Sequence, residues 1–290
     1  MTRAAGRPYL VLAAAVLCIS FGSILVRLAA APALAVAFYR VFLASLFVAP
    51  FAAPGLARHW APLVPRQRLL LGLSGLALAV HFATWIASLS YTSVASSVLL
   101  VNTTPLFTLG FSRFFLGESV PGVVAGAIAG AMAGAALIAA GDWAGGSDSL
   151  LGDGLAMAGA VTLSAYHIIG RGLRDSLPLG AYVFSVWAAA AAVLGLLALA
   201  AAVPLAGYPV RTLGVFVALA VVPTLFGHGL VNRALRALPA PTVSLFLLGE
   251  PVGATILAYA MFGETPTAWT LAGGGVVLAA LAVVVRAGIP

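Results

Sequence analysis

The stretch LLGEPVGATILAYAMFGET, residues 247–265, sets a carboxylate, Glu250, inside an apolar run and a proline, Pro251, directly after it. If this run crosses a membrane, an ionised carboxylate near its centre costs roughly 2.5–3.5 kcal/mol on insertion scales, so Glu250 must face protein or water. Three roles fit the residue. It can bind the ammonium group of a substrate, take up a proton during transport, or tie two helices together through hydrogen bonds.

The neighbours of Glu250 predict a break in the helix. Pro251 lacks an N–H and opens the hydrogen-bond ladder, which frees a carbonyl about one turn back. Gly249 and Gly253 form a G-x-x-x-G pair that allows another helix to approach closely. We therefore expect a hinge at Gly249, Pro251 and Gly253, and a second one at Pro105.

Several other apolar runs carry polar side chains on one helical face. Residues at intervals of seven, four and three follow one another in the run near position 80: Ser74, His81, Trp85 and Ser88. Residues at intervals of four share a face in a later run: Thr224, His228 and Asn232. Two further runs add Asn102 with Thr103 and Tyr166 with His167. Lipid cannot satisfy such groups, so these faces are expected to enclose a cavity.

The candidate cavity residues are Arg40, His81, Trp85, Ser88, Asn102, Tyr166, His167, His228, Asn232, Phe246 and Glu250. Simpler roles stay open for several of them. Trp85 and Tyr166 also suit ordinary packing, the histidines suit bridges between helices, and Asn102 suits a bond to backbone freed by Pro105. Arg40 either faces a substrate carboxylate, extends to the outer headgroups, or pairs with a helix C-terminus.

The composition defines the elements that must position these side chains. Of 290 residues 63% are hydrophobic and 7% charged, more apolar surface than a soluble domain of this size can bury. Ten apolar runs are long enough to span a bilayer. They lie at roughly residues 9–30, 35–53, 69–90, 94–114, 120–140, 152–172, 179–203, 212–235, 240–262 and 267–286. The predicted fold class is an all-α polytopic membrane protein, with the first run as a span rather than a cleaved signal peptide.

The net charge of +7 reflects membrane orientation rather than nucleic-acid binding. With a cytoplasmic N-terminus, eleven of the fourteen arginines fall on the cytoplasmic side, as the positive-inside rule requires. Ten spans then return the C-terminus to the cytoplasm as well.

The chain also repeats itself. Pro105 matches Pro251 and Glu118 matches Glu264, both at a shift of 146 residues. The stripe Ser20, Ser23 and Arg27 matches Ser164, His167 and Arg171 at a shift of 144. We therefore divide the chain into five-span units at residues 1–143 and 144–290. Because five is odd, the second unit enters the membrane from the opposite side, an inverted repeat typical of secondary transporters.

Five segments carry a family resemblance over essentially the whole chain: AFYRVFLASL, SLSYTSVASSVLLVNTTPLF, FFLGES, LLGEPV and MFGET. They resemble the EamA-type branch of the drug/metabolite transporter superfamily, and within it the YddG-type exporters of aromatic and other neutral amino acids. The resemblance implies ten helices in two inverted five-helix repeats around a central cavity. The family's positions map onto Arg40, Pro105, Glu118, Pro251 and Glu264. One departure is visible, because Thr104 stands where the second half has Glu250.

These observations predict a bacterial inner-membrane secondary transporter that exports neutral and aromatic amino acids by alternating access. The alternative is efflux of drug-like or nucleoside compounds. A remote alternative, an intramembrane serine protease, rests on GLSG at residues 72–75 and HGLVN at 228–232, in the wrong order for that family. We expect no enzyme activity, cofactor, metal or nucleic-acid partner. The expected partners are the substrate, the bilayer and the proton as a candidate coupling ion.

Overall fold

The computed structural model describes residues 7–91, 97, 100–118, 120–142, 150–173, 175–263, 265 and 268–287, and these residues are helical with short connections. The first half contains α1 (Arg7–Ala29), α2 (Ala33–Ala52), α3 (Leu56–Trp60), α4 (Pro65–Ser88), α5 (Thr104–Phe111) and α6 (Gly122–Asp142). The second half contains α7 (Leu150–Leu173), α8 (Leu179–Ala200), α9 (Val210–Leu219), α10 (Gly229–Ala234), α11 (Ala240–Leu247), α12 (Glu250–Phe262) and α13 (Ala268–Ala287). A 3₁₀ turn, Ala53–Gly55, precedes α3, and two π-helical segments, Ser112–Leu116 and Ala220–His228, follow α5 and α9.

Within the described residues, six helices have the length and apolar composition to cross a membrane: Pro8–Ala29, Ala33–Trp60, Pro65–Ser88, Leu179–Ala200, Val210–Ala234 and Ala240–Met261. Two shorter apolar helices are Gly122–Gly134 and Leu271–Ala287. The chain is therefore a multi-pass helical membrane protein. The predicted total of ten spans remains a prediction.

Pro105 and Pro251 each stand at the start of a helix that follows a break. The first break is at residues 102–103 and the second at residues 248–249. Leu248 and Gly249 form a turn between α11 and α12. Their N–H groups donate to the carbonyls of Leu245 and Phe246, three residues back, at 3.1 and 3.0 Å. Pro251 is in the first turn of α12, as Pro105 is in the first turn of α5. The two helical stretches that begin with these prolines also end alike, at Gly117 and Gly263, whose φ values are 65° and 69°. The left-handed conformation favours glycine at both ends.

The helices of the two halves pack on one another in a reciprocal pattern. Helix α1 packs on α12 and on the segment α9–α10, whereas α7 packs on their counterparts α5 and α4. Helix α2 packs on α8, and α6 packs on α13. Each of these contacts between the halves thus has a counterpart in which the roles are exchanged, as expected for two structurally related units.

Hydroxyl groups from α1 and α7 hold the two breaks. Ser164 Oγ donates to the Thr104 carbonyl at 2.8 Å. Its counterpart Ser20 Oγ approaches the Glu250 carbonyl at 3.4 Å and donates at 2.8 Å to Val16 in its own helix. Gly253 leaves the space that Ser20 occupies, because a Cβ there would overlap the serine side chain. The close approach inferred from Gly253 is therefore present, and its partner is α1.

Gly134 of α6 lies at the contact with α13. A Cβ added to Gly134 would lie 2.7 Å from the Gly273 carbonyl oxygen and 3.0 Å from the Val277 nitrogen, both backbone atoms. Gly126 faces open space instead. Close packing within the bundle therefore explains Gly134.

An ion pair joins the halves at one end of the bundle. Arg171 Nε in α7 donates to Glu118 Oε1 at 2.8 Å, and Arg171 Nη1 donates to the carbonyls of Leu235 and Arg236 at 2.9 and 3.2 Å. Ser112 Oγ donates to Glu118 Oε2 at 2.5 Å. Glu118 thus makes interhelical contacts, and Glu264, its counterpart, lies outside the described residues.

Gly134→Ala is expected to lower the stability of the folded protein by about 1–3 kcal/mol, because backbone atoms of α13 must move to admit the methyl group. The measurement is thermal unfolding in detergent. Gly126→Ala is the matched control and should leave the midpoint unchanged or raise it, since alanine favours a helix over glycine. Equal effects of the two substitutions would contradict the packing described for Gly134.

Glu118→Gln is expected to cost on the order of 1 kcal/mol of stability, because the ion pair with Arg171 is partly exposed and only one of the arginine's contacts is lost. A double-mutant cycle with Arg171→Gln measures the coupling, which should shrink at high salt. Asp175→Asn removes an exposed carboxylate as a control. A salt-independent coupling would argue that Glu118 acts through packing alone.

Candidate functional site

A cavity of about 50 Å³ lies at the centre of the bundle, where the two breaks meet α1, α2, α4 and the π-helical segment before α10. It is lined by Ile19, Gly22, Arg40, His81, Phe82, Trp85, Val101, Asn102, Thr104, Pro105, Leu163, His228, Ser244, Leu247 and Glu250. Such a volume holds a few water molecules. Ligand pockets usually measure about 300–1,000 Å³, so the walls must move apart to admit a ligand.

Arg40 is the buried cation of this cavity, with 2% of its surface exposed. Its Nε donates to Thr224 Oγ1 at 3.2 Å, and its guanidinium carbon lies 3.9 Å from the centre of the Phe82 ring. Nη1 has no hydrogen-bond partner in the described part of the chain. The guanidinium is therefore held along one edge and one face, while part of its donor capacity remains unused.

The hydroxyl that holds Arg40 comes from the π-helical segment. Thr224 Oγ1 donates at 2.8 Å to the Leu219 carbonyl, five residues back. Pro223 precedes it and removes one N–H from the helical ladder, so the wider turn supplies alternative bonding. This local distortion positions Thr224 as the acceptor for Arg40 Nε.

Glu250 supplies the acidic side chain. It is the first residue of α12, half-buried, and it lines the same cavity as Arg40. Among the described residues, the two side chains form no direct ion pair. A cationic and an acidic side chain therefore share one small cavity and leave each other's hydrogen-bonding atoms available to a third group.

An aromatic wall from α4 faces these charges. The His81 and Trp85 rings stack with centres 6.1 Å apart and planes 3° apart. His81 Nδ1 lies 3.0 Å from the Gly159 carbonyl, and because a carbonyl only accepts, Nδ1 carries the hydrogen and leaves Nε2 as an acceptor. Phe82 meets the His228 ring edge-on at 5.4 Å. The cavity thus combines two charges with flat apolar surfaces.

Six of the eleven predicted cavity residues line this cavity: Arg40, His81, Trp85, Asn102, His228 and Glu250. Of the predicted hinge residues, Pro105 also lines it, whereas Gly249 and Gly253 lie against α1 and Pro251 lies in the first turn of α12. Substrate binding by the lining residues and the hinge at these four positions remain predictions.

The other five predicted cavity residues lie elsewhere in the bundle. Ser88 donates to the Trp85 carbonyl at 2.7 Å and lies 2.6 Å from Ser97 Oγ, which turns it away from the centre. Phe246 packs on Tyr9, with ring centres 5.4 Å apart. Tyr166, His167 and Asn232 are fully buried beside one another, and Asn232 Nδ2 donates to the Tyr166 hydroxyl and to the His228 carbonyl. These three support His228 from behind.

Several lining residues were absent from the prediction. Phe82, Thr104 and Ser244 are the most informative of them. The repeat contained a signal for Thr104, because it stands at the position of Glu250 in the first half. Phe82 and Ser244 carried no such signal, since a phenylalanine or serine in an apolar helix is most often a packing residue.

The residues behind the protease alternative do not form a catalytic pair in the structure. Ser74 Oγ lies 2.8 Å from the Tyr182 hydroxyl in a buried contact between α4 and α8. His228 belongs to the central cavity instead. A serine nucleophile needs a base within hydrogen-bond reach, and here its partner is a tyrosine.

Comparisons with known proteins agree with the repeated architecture. A crystal structure with a sequence 20% identical superposes with a TM-score of 0.81 and covers 98% of each chain, which shows the fold alone. A protein of Clostridium kluyveri described as an uncharacterized transporter is 26% identical over 203 residues, which is 67% of this chain and 65% of that relative. The match therefore spans less than two thirds of the relative's length.

The EamA-like transporter family matches the chain twice, at residues 6–140 and 150–286. The two matches cover most of the sequence and fall on the two halves related by the repeat. Together with the membrane-spanning helices, they point to a transporter rather than an enzyme. The chain is a member of the EamA-like transporter family.

Proposed function

We propose that this protein is a secondary transporter that exports neutral amino acids, aromatic ones included, across the bacterial inner membrane. The observation that carries the proposal is that a buried cation, Arg40, and an acid, Glu250, line one cavity without a direct ion pair. A neutral amino acid is a zwitterion with a carboxylate and an ammonium group on one carbon. It supplies an anion for Arg40 Nη1, which has no hydrogen-bond partner among the described residues, and a cation for Glu250.

Each end of such a substrate has a suitable site. The unpartnered Arg40 Nη1 offers donors to a carboxylate, a charge-assisted contact that is stronger than a neutral one. Glu250 offers acceptors to an ammonium group. Trp85 and Phe82 offer flat faces to an aromatic side chain. A phosphorylated substrate fits less well, because Arg40 is the cation that lines the cavity and two would be expected.

The repeat supports transport by alternating access. Both breaks reach the cavity, the first through Thr104 and Pro105 and the second through Leu247 and Glu250. Broken helices near the midplane allow one half of a span to move relative to the other around a fixed site. We take the chain to have ten spans, with both termini in the cytoplasm, because this arrangement places most arginines inside.

Liposomes that contain the purified protein are expected to accumulate labelled phenylalanine, tryptophan and small neutral amino acids by exchange, and unlabelled neutral amino acids should compete. Two phenylalanine analogues sharpen the test. Phenylalanine amide lacks the carboxylate and 3-phenylpropionate lacks the ammonium group, so each should compete at least tenfold less well than phenylalanine. Transport of nucleosides or aromatic cations without transport of amino acids would replace this proposal with the efflux of such compounds.

Arg40→Lys is expected to reduce phenylalanine exchange at least tenfold, because lysine keeps the charge but loses the planar contact with Phe82 and the fork that can bind a carboxylate. Competition by phenylalanine amide should change much less, since it makes no use of that fork. Arg211→Lys, at an exposed position, is the matched control. An equal loss for phenylalanine and its amide would assign Arg40 a structural role.

A further inference from the structure

The two breaks are capped differently, although their prolines are equivalent. Pro105 lacks the N–H that would reach the Val101 carbonyl four residues back. Thr104 supplies the missing donor, because its hydroxyl bonds to that carbonyl at 2.6 Å. A threonine hydroxyl always carries a hydrogen, so this cap is permanent.

The second break has no such permanent donor. Pro251 leaves the Leu247 carbonyl without its N–H partner, and in the described residues no side chain donates to it. Glu250 occupies the position of Thr104, at the shift of 146 residues that also relates the prolines. A carboxylate only accepts hydrogen bonds, whereas a protonated carboxyl group has one O–H to donate. The cap in the second half is therefore available only when Glu250 is protonated.

The hydroxyl groups beside the two breaks also differ, because the first break has shorter hydrogen bonds to them than the second. Ser164 bonds to the Thr104 carbonyl at 2.8 Å and lies 3.0 Å from Thr108 Oγ1, which itself donates to that carbonyl at 2.9 Å. In the second half, Ser20 approaches the Glu250 carbonyl only at 3.4 Å. Hydroxyl groups thus hold the first break firmly, while the second depends more on Glu250.

We propose that Glu250 and the Leu247 carbonyl form a proton-binding site, so that one proton is exchanged for each amino acid carried. This inference rests on the proposed function. When no substrate is bound, the protonated carboxyl group donates to the Leu247 carbonyl. When substrate enters, the proton leaves to solvent, the carboxylate accepts from the substrate ammonium group, and an ammonium N–H takes over the Leu247 carbonyl.

The groups around Glu250 accommodate both its protonated form without substrate and its ionised form with substrate. Arg40, His81 and His228 are the titratable side chains that line it with Glu250. On the helices packed against α12, Cys18 and Arg27 of α1 and Arg286 of α13 do not line it. The unloaded site contains the Arg40 cation and a neutral acid, and the loaded site contains the Arg40–carboxylate pair and the zwitterion. Export of a zwitterion against entry of a proton moves one positive charge inward.

The test measures proton release when phenylalanine binds to the detergent-purified protein in weak buffer, with a pH dye as the reporter. At a pH where the unloaded site is protonated, we expect about one proton to be released per bound phenylalanine. In that range the apparent Kd should rise about tenfold for each unit by which the pH falls, as competition by one proton requires. Asp175→Asn, which neutralises an exposed carboxylate outside the cavity, is the matched control and should release the same proton.

Glu250→Gln carries a permanent N–H donor and is expected to abolish proton release and the pH dependence of the remaining, weaker binding. Glu250→Thr copies the first break and serves as a second variant that lacks the proton if the glutamine variant does not fold.

Three results would overturn the inference. Binding and exchange of amino acids without proton release by the parent protein would remove the proton site but leave the proposed function intact. Proton release that persists in Glu250→Gln would assign the proton to another group, such as His81 or His228. Failure of the parent protein to bind or exchange any amino acid would remove the proposed function first, and the inference with it.

Discussion

Backbone polar groups inside a bilayer have no water to bond with, and the centre of this protein is arranged around that constraint. Two helical stretches are interrupted before a proline beside the cavity, and each proline leaves a carbonyl without its helical partner. Thr104, Ser164 and Thr108 supply hydroxyl groups to the first interruption. The close approach of α1 to the second break and of α7 to the first brings hydroxyl groups to these breaks.

The lack of water in the interior also constrains the charged side chain of Arg40. A guanidinium in a dry interior is stabilised by partners for its donors and its faces, and Arg40 has Thr224 along one edge and Phe82 against one face. The π-helical turn that presents Thr224 is itself a response to Pro223. A local distortion of the backbone in the second half thereby positions a side chain of the first half, which couples the two halves at the site.

Related halves with unequal chemistry suit a carrier. The reciprocal packing of α1 with α12 and of α7 with α5 places two similar helix pairs around the cavity. Thr104 and Glu250 break that equivalence at a position that lines the cavity. One break is capped by a hydroxyl group, and the other carries the acid that we propose exchanges a proton for a substrate. In that proposal the related halves allow the motion, and the departure from the repeat supplies the ion exchange.

Much of the architecture could be read from the sequence because it depends on local properties. Long apolar runs must be membrane helices, and the observed bounds of α1, α2 and α8 lie within a few residues of those expected. The matched prolines and Gly–Glu pairs marked the repeat, and the family assignment is confirmed. Glu250, His81 and Arg40 were recognisable since a polar group in a membrane helix must face protein or water.

Which polar residues meet was decided only by the tertiary structure. Periodicity shows which side chains share a helical face, but it does not show how each helix is rotated and shifted against its neighbours. Tyr166, His167 and Asn232 are as polar as the cavity residues, yet packing places them behind His228. Phe82 entered the site through its contact with Arg40, a contact between residues 42 positions apart that no local pattern encodes.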